Sequence, residues 1–149
     1  MGRKNHNPSI ARRIQQDLKK GESPEHLIPI AKSITDPYYV SLSLTYIASS
    51  NSLKASKSEK LFKTVFSQAN NVDQSWRRLE LLGEISKKMK NIRDVDLKET
   101  QYQQILKLML SEKGKNTKEF FVKNAKHFPS TFLESLLNST LKLRGYEIE

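Results

Sequence analysis

Apolar residues recur every three or four positions along almost the whole chain, and strict alternation of apolar and polar residues is nearly absent. Ile10, Ile14 and Leu18 follow one another at intervals of four. Pro8 precedes them and Gly21 follows them, which is the usual order at the two ends of a helix. The pattern therefore predicts an amphipathic first helix.

The same spacing predicts seven further helices, which makes about eight in all. The positions that mark the seven are, in chain order, Leu27, Ile28, Ala31 and Ile34; Tyr39, Leu42, Tyr46 and Ile47; Leu61, Phe62, Val65, Phe66 and Ala69; Trp76, Leu79, Leu82, Ile85 and Met89; Ile105, Leu106 and Met109, within Leu97 to Leu110; Phe120, Phe121 and Ala125; and Phe132, Leu136, Leu137 and Leu141. The polar run from Ser49 to Ser58 predicts a loop. We therefore expect an all-α protein whose helices form antiparallel pairs.

The chain also contains an internal repeat. Leu27, Ile28, Ala31 and Ile34 align with Val65, Phe66, Ala69 and Val72 at an offset of 38 residues, and Asp36-Pro37-Tyr38 aligns with Gln74-Ser75-Trp76. A third copy fits at Phe121 to Phe128, and a competing alignment places it at Ile105, Leu106 and Met109 instead. A period of this length is typical of stacked helix pairs, each of which buries its apolar stripe against the next.

The turn between the second and third predicted helices has a distinctive sequence. Ile34-Thr35-Asp36-Pro37-Tyr38-Tyr39 leads into a helix that ends in Leu44-Thr45-Tyr46-Ile47-Ala48. This segment resembles the HEAT-like repeats, especially an archaeal type with an Ile-x-Asp-Pro-Tyr-Tyr turn. The resemblance is good over Leu27 to Ala48, partial over Val65 to Met89 and weak beyond. It implies a short right-handed α-solenoid that serves as a scaffold and carries no chemistry of its own; the alternative is a compact helical bundle.

Length and composition narrow the class of protein. The 149 residues suffice for a single helical-repeat domain over 1–149, in which we expect residues 1–7 to be a flexible basic terminus. The chain has no cysteine, so disulfides, thiolate catalysis and cysteine-based zinc sites are excluded. Neither a membrane-spanning run nor a secretory signal is evident, which predicts a cytoplasmic protein without membrane contact.

Catalytic patterns are missing as well. His6, His26 and His127 lie in separate segments, and none has a His or Glu partner at helical metal-site spacing. The acidic pairs Asp94 with Asp96 and Glu147 with Glu149 flank loops or the terminus, where carboxylates usually cap helices or are solvated. We therefore predict no enzyme, no catalytic or metal-binding residue, no cofactor and no small-molecule substrate.

The charge indicates a polyanionic or acidic partner. Lys and Arg total 26 against 16 Asp and Glu, which gives a formal charge of +10. The candidate polyanion-binding residues are Arg12, Arg13, Lys19 and Lys20 in the first helix, Lys54, Lys57, Lys60 and Lys63 around the start of the fourth, and Arg77 in the fifth. Near Arg77, the run Arg78, Lys87, Lys88 and Lys90 is interrupted by Glu80 and Glu84 and is interpreted as a solvated face. The resemblance to HEAT-like repeats implies that Arg78 pairs between neighbouring repeats.

Two aromatic residues are candidates for partner binding, since Tyr38 and Trp76 occupy equivalent turn positions in the two copies. Exposed side by side near Arg77, they would form a stacking surface for nucleic acid. The leading hypothesis is a helical-repeat scaffold that binds another protein, aided by charge if that protein is acidic. The alternative is a nucleic-acid-binding accessory protein that contacts phosphates through the first helix and the lysine row.

Overall fold

The computed structural model describes residues 7–112, 123 and 125–127 of the chain. The predicted helix marked by Phe132 to Leu141 lies outside the described residues, as do Phe120 and Phe121 of the predicted helix before it. Half of the third repeat copy at Phe121 to Phe128 lies outside them too. Residues 1–6 lie outside them as well.

Six α-helices and one 3-10 turn form the described part of the chain. They are α1 (Asn7–Lys19), α2 (Pro24–Lys32), α3 (Pro37–Ala48), α4 (Ala55–Asn70), α5 (Ser75–Met89), α6 (Val95–Ser111) and the turn Ala125–His127. No described residue lies in a strand, and the all-α prediction is confirmed.

Local sequence fixes where several helices begin and end. The Asp36 carboxylate accepts a hydrogen bond from the Tyr38 amide at 3.0 Å and caps α3. Asp94 caps α6 in the same way through the Leu97 amide, also at 3.0 Å. After α1, Gly21 adopts a φ of +92°, a left-handed conformation that glycine reaches without steric cost.

The boundary predicted before the fourth helix differs from the structure. The loop predicted over Ser49 to Ser58 is shorter, because α4 already begins at Ala55 and buries Ser58. A small buried hydroxyl among exposed lysines and serines gives no apolar signal, so the first turn of α4 resembles a loop in sequence. The first helix, α1, begins at Asn7. The Asn7 side chain accepts a hydrogen bond from the Thr35 amide at 3.1 Å.

The helices pack in two rows around α3. The odd row consists of α1, α3 and α5, in which α3 contacts both of the others. The even row consists of α2, α4 and α6; α4 contacts α6, and the even helices pack against the odd ones. Nine of the twelve residues of α3 are buried, and none of the twelve is charged, so the core is centred on this helix.

Burial follows the internal repeat. Leu27, Ala31 and Ile34 are buried at positions equivalent to Val65, Ala69 and Val72. The pattern then continues 40 residues further along, where Gln101, Tyr102, Ile105, Leu106 and Met109 of α6 are buried like Leu61, Phe62, Val65, Phe66 and Ala69 of α4. The helix α6 therefore repeats the buried face of α4, as the competing alignment through Ile105 places it.

Small hydroxyl side chains set the contact between α3 and α4. The buried Ser41 Oγ donates to the Val65 carbonyl of α4 at 2.9 Å, and Thr45 Oγ1 donates to the Ser41 carbonyl at 2.8 Å. The equally buried Ser43 Oγ has no hydrogen-bond partner in the described part of the chain. The Ser41 hydroxyl thus links α3 to α4, whereas burial of the Ser43 hydroxyl without a partner costs folding free energy.

We expect Ser41→Ala to leave the protein about 1 kcal/mol less stable than Ser43→Ala, because only Ser41 loses a bond between helices. Both changes gain the same helix propensity, so each is the matched control for the other. Urea unfolding at neutral pH measures the difference. A Ser43→Ala variant that is the less stable of the two would contradict this packing.

Candidate functional site

The four cations predicted in the first helix are exposed. Arg12, Arg13, Lys19 and Lys20 all lie on the solvent side of α1 or directly after it, while Ile14 faces the core. Arg13 approaches Asp17 at 4.0 Å, but its side chain is 83% exposed, so this pair contributes little. The basic face of α1 therefore remains accessible to a partner.

The lysine row is exposed too, but it is separate from α1. Lys54, Lys57, Lys60 and Lys63 lie on α4 or at its N-cap, and Lys57 forms an ion pair with Glu25 of α2. This pair lowers the pKa of the Glu25 carboxyl. Because α1 belongs to the odd row and α4 to the even row, the structure does not bring the two basic groups together.

Arg77 is engaged within the protein. Its guanidinium donates to the Asp36 carboxylate at 3.0 Å and lies 4.6 Å from the centre of the Tyr38 ring. The Tyr38 ring is only 8% exposed and its hydroxyl donates to Glu80 at 3.4 Å, whereas Trp76 is 51% exposed. Burial, followed by the charge of Glu80, raises the pKa of the Tyr38 hydroxyl. Tyr38 and Trp76 therefore do not present one shared stacking face.

Arg78 joins the α4–α5 turn to the end of α6. It donates to both carboxylate oxygens of Glu112, at 2.9 and 2.8 Å, and to the Val72 carbonyl at 2.6 Å. Ser75 Oγ donates to the same carboxylate at 2.7 Å. The bonds from Arg78 and Ser75 lower the pKa of the Glu112 carboxyl. The pairing predicted for Arg78 is thus present, and this arginine serves the fold.

The ends of the odd row form a cationic groove that sequence reasoning did not identify. The C-terminal ends of α1, α3 and α5 meet around a volume of about 290 Å³, which we call the Lys19–Lys88 groove. Its lining residues are Gln15, Leu18, Lys19, Tyr46, Ser49, Ser50, Asn51, Lys88 and Asn91. The lining holds two lysines and no carboxylate, so the groove concentrates positive charge.

Most terminal carbonyls near this groove are already bonded. Ser49 Oγ donates to the Tyr46 carbonyl at 3.2 Å, and the Ser50 amide donates to the Ile47 carbonyl at 3.1 Å. Asn51 Nδ2 donates to the Asn91 carbonyl at 2.6 Å, while its Oδ1 accepts from the Arg93 amide. These bonds satisfy the carbonyl groups within the fold, so the carbonyls do not need hydrogen bonds from the lysine ammonium groups.

The groove could not be predicted from the sequence, because the spacing of charges along α5 predicts a different contact for Lys88. Glu84 and Lys88 are four residues apart, a spacing that predicts an ion pair along the helix. In the structure the Lys88 ammonium instead lies 5.1 Å from the centre of the Tyr46 ring of α3. Only the packing of α1, α3 and α5 brings Lys88 to the same groove as Lys19, which is 69 positions away.

We expect Glu112→Gln to destabilise the protein by about 1.5–3 kcal/mol at neutral pH, since it removes the charge that both Arg78 bonds use. The folded-state pKa of Glu112 lies below the ordinary value for a glutamate, so its carboxylate contributes stability above that ordinary pKa. The difference from the unmodified protein is expected to disappear as the pH falls through the folded-state pKa. Urea unfolding across this pH range measures it, with the exposed Glu99→Gln as the control on α6. A loss of stability that does not change with pH would contradict a stabilising ion pair between Arg78 and Glu112.

Comparison with known proteins identifies no relative of this chain. No protein-family model, curated protein or solved structure matches the chain. None of the described helices is long and apolar enough to cross a bilayer. Across the described residues, no group of three or more His, Asp or Glu side chains is placed to hold a metal ion. The resemblance to HEAT-like repeats stays a prediction, carried by the Asp36-Pro37 turn and its flanking helices.

Proposed function

We propose that this protein is a non-enzymatic HEAT-like α-solenoid that binds an acidic surface of another protein. The observation that carries the proposal is the division of its cations into two kinds. Arg77 and Arg78 are bonded to carboxylates that join successive helix pairs. The cations of α1 are exposed and those of the Lys19–Lys88 groove line an open groove, and only Arg13 among them approaches a carboxylate within 4.0 Å in the described part of the chain.

The packing supports a solenoid over a closed bundle. Each odd helix contacts the next odd helix, and α4 contacts α6, as is expected of stacked helix pairs. The bonds of Arg77 to Asp36 and of Arg78 to Glu112 link equivalent turns of neighbouring pairs. Stacked pairs of this kind present long continuous faces, which suit binding to an extended partner.

Positive charge serves association with an acidic protein in two ways. It increases the rate of encounter, and it disfavours basic partners. The exposed side chains Arg12 and Arg13 are adjacent on α1, where they are available to meet a carboxylate-rich surface. Arginine suits this role because its planar guanidinium forms paired hydrogen bonds with carboxylates.

Nucleic-acid binding is the second candidate function. Arg12 with Lys19 and Arg13 with Lys20 are each seven residues apart, so each pair lies on one side of α1 and can follow a phosphate backbone. The remaining observations favour a protein partner. Arg77 and Lys57 are paired internally, the Tyr38 ring is buried, and the lysine row lies on the other row of helices.

Binding to labelled polyglutamate, single-stranded DNA, double-stranded DNA and RNA at two salt concentrations tests this proposal. We expect the full-length protein to bind polyglutamate, and Arg12→Gln with Arg13→Gln to weaken that binding about fivefold, through the loss of two exposed cations worth about 1 kcal/mol together. Lys60→Gln with Lys63→Gln removes the same charge from α4 and is the matched control. We expect it to have less effect.

Two outcomes would overturn the proposal. One is a nucleic acid that binds more tightly than polyglutamate and with a steep salt dependence, which would favour the second candidate. The other is an equal loss of polyglutamate binding in both double variants, which would show that net charge alone determines binding.

A further inference from the structure

The Lys19–Lys88 groove combines two cations with several neutral hydrogen-bond donors. Lys19 comes from the end of α1 and Lys88 from the end of α5, and neither forms an ion pair within the described part of the chain. Two lysines that line one groove bring two positive charges to the same region, and like charges repel. An anion between them would remove that repulsion and gain two charge-assisted hydrogen bonds.

The neutral groups in the groove are also available. The side-chain amides of Gln15 and Asn91 and the Tyr46 hydroxyl form no hydrogen bond within the described residues, and all three line the groove. Asn51 differs, because both ends of its amide are bonded to the loop after α5. The groove therefore offers two cationic and three neutral donors around a framework that Asn51 holds in place.

Charge and shape together indicate the class of anion. A phosphate monoester carries close to two negative charges at neutral pH and three acceptor oxygens, whereas an aspartate or glutamate side chain carries one charge and two oxygens. Two ammonium groups and three neutral donors match the phosphate better. The volume of about 290 Å³ leaves room for the side chain that carries it.

One carboxylate lies near the groove without lining it. Glu84 is the carboxylate that acts on Tyr46, where it adds to the effect of burial in raising the pKa of the hydroxyl. It lies one helical turn before Lys88 and does not line the groove. The Tyr46 hydroxyl is protonated at neutral pH, as tyrosine hydroxyls ordinarily are, and can donate a hydrogen bond to an anion.

We propose that the Lys19–Lys88 groove binds a phosphorylated serine or threonine side chain of the partner protein. This inference rests on the proposed function, because it assumes that the partner is a protein. A single groove suits one phosphate on a peptide better than the regular phosphates of a nucleic acid, which require a row of cations at even spacing.

The test uses the full-length protein and a labelled peptide that contains one phosphoserine among glycine and alanine residues. We expect it to bind at least about tenfold more tightly than the same peptide without phosphate. Lys19→Gln with Lys88→Gln is expected to abolish that preference, and Lys60→Gln with Lys63→Gln to retain it. In nuclear magnetic resonance spectra, the side-chain amide signals of Gln15 and Asn91 are expected to shift on binding.

Two competition arms identify the source of the phosphate. O-phosphoserine is expected to displace the peptide more effectively than adenosine monophosphate, and adenosine monophosphate as the better competitor would overturn the assignment to a phosphopeptide. Equal binding of the two peptides, or an unchanged preference in the Lys19 and Lys88 variant, would overturn the site itself. If the groove fails as a phosphate site but polyglutamate binding still depends on Arg12 and Arg13, the proposed function stands.

Discussion

The structure depends on the burial of α3, a helix of twelve residues with no charged side chain. Its neighbours are α1, α2, α4 and α5, so removing any one of them exposes apolar surface. Alternating serines and threonine along the helix, at Ser41, Ser43 and Thr45, allow close approach because their side chains are small. Ser41 and Thr45 also satisfy their hydroxyls on backbone carbonyls, and this explains why a helix with so many polar residues is stable in the core.

Given this core, the positions of the remaining charges follow from the turns. The α2–α3 turn brings Asp36 to Arg77, and the α4–α5 turn brings Arg78 to Glu112, so these arginines join one helix pair to the next. At the opposite ends of α1, α3 and α5, the carbonyls are bonded to backbone amides, Ser49 and Asn51. Neither Lys19 nor Lys88 at these ends forms an ion pair within the described residues, and Lys88 lies over the Tyr46 ring. The described cations thus separate into those that pair within the fold and those that do not.

Periodicity predicted the helical class, the buried faces and most helix positions, because an amphipathic helix has to bury one stripe whatever its neighbours are. The Asp36 cap was equally predictable, since it needs only the local sequence. The start of α4 was missed because Ser58 is buried without being apolar. The contact of Arg77 with Asp36 joins residues 41 positions apart, and the groove joins Lys19 to Lys88, which are 69 positions apart. A local sequence pattern does not show which helix packs against which. The equivalence of Tyr38 and Trp76 in sequence likewise does not extend to exposure, because only Tyr38 has Arg77 and Glu80 covering it.

Hydrogen exchange of the backbone amides tests the central position of α3 most directly. An amide that opens only when the whole protein unfolds exchanges with the free energy of global unfolding. We expect the amides of Leu44 to Ala48 in α3 to exchange last and with that free energy, while those of α1 exchange earlier through partial opening. Amides of α3 that exchange as fast as those of α1 would contradict a fold built around this helix.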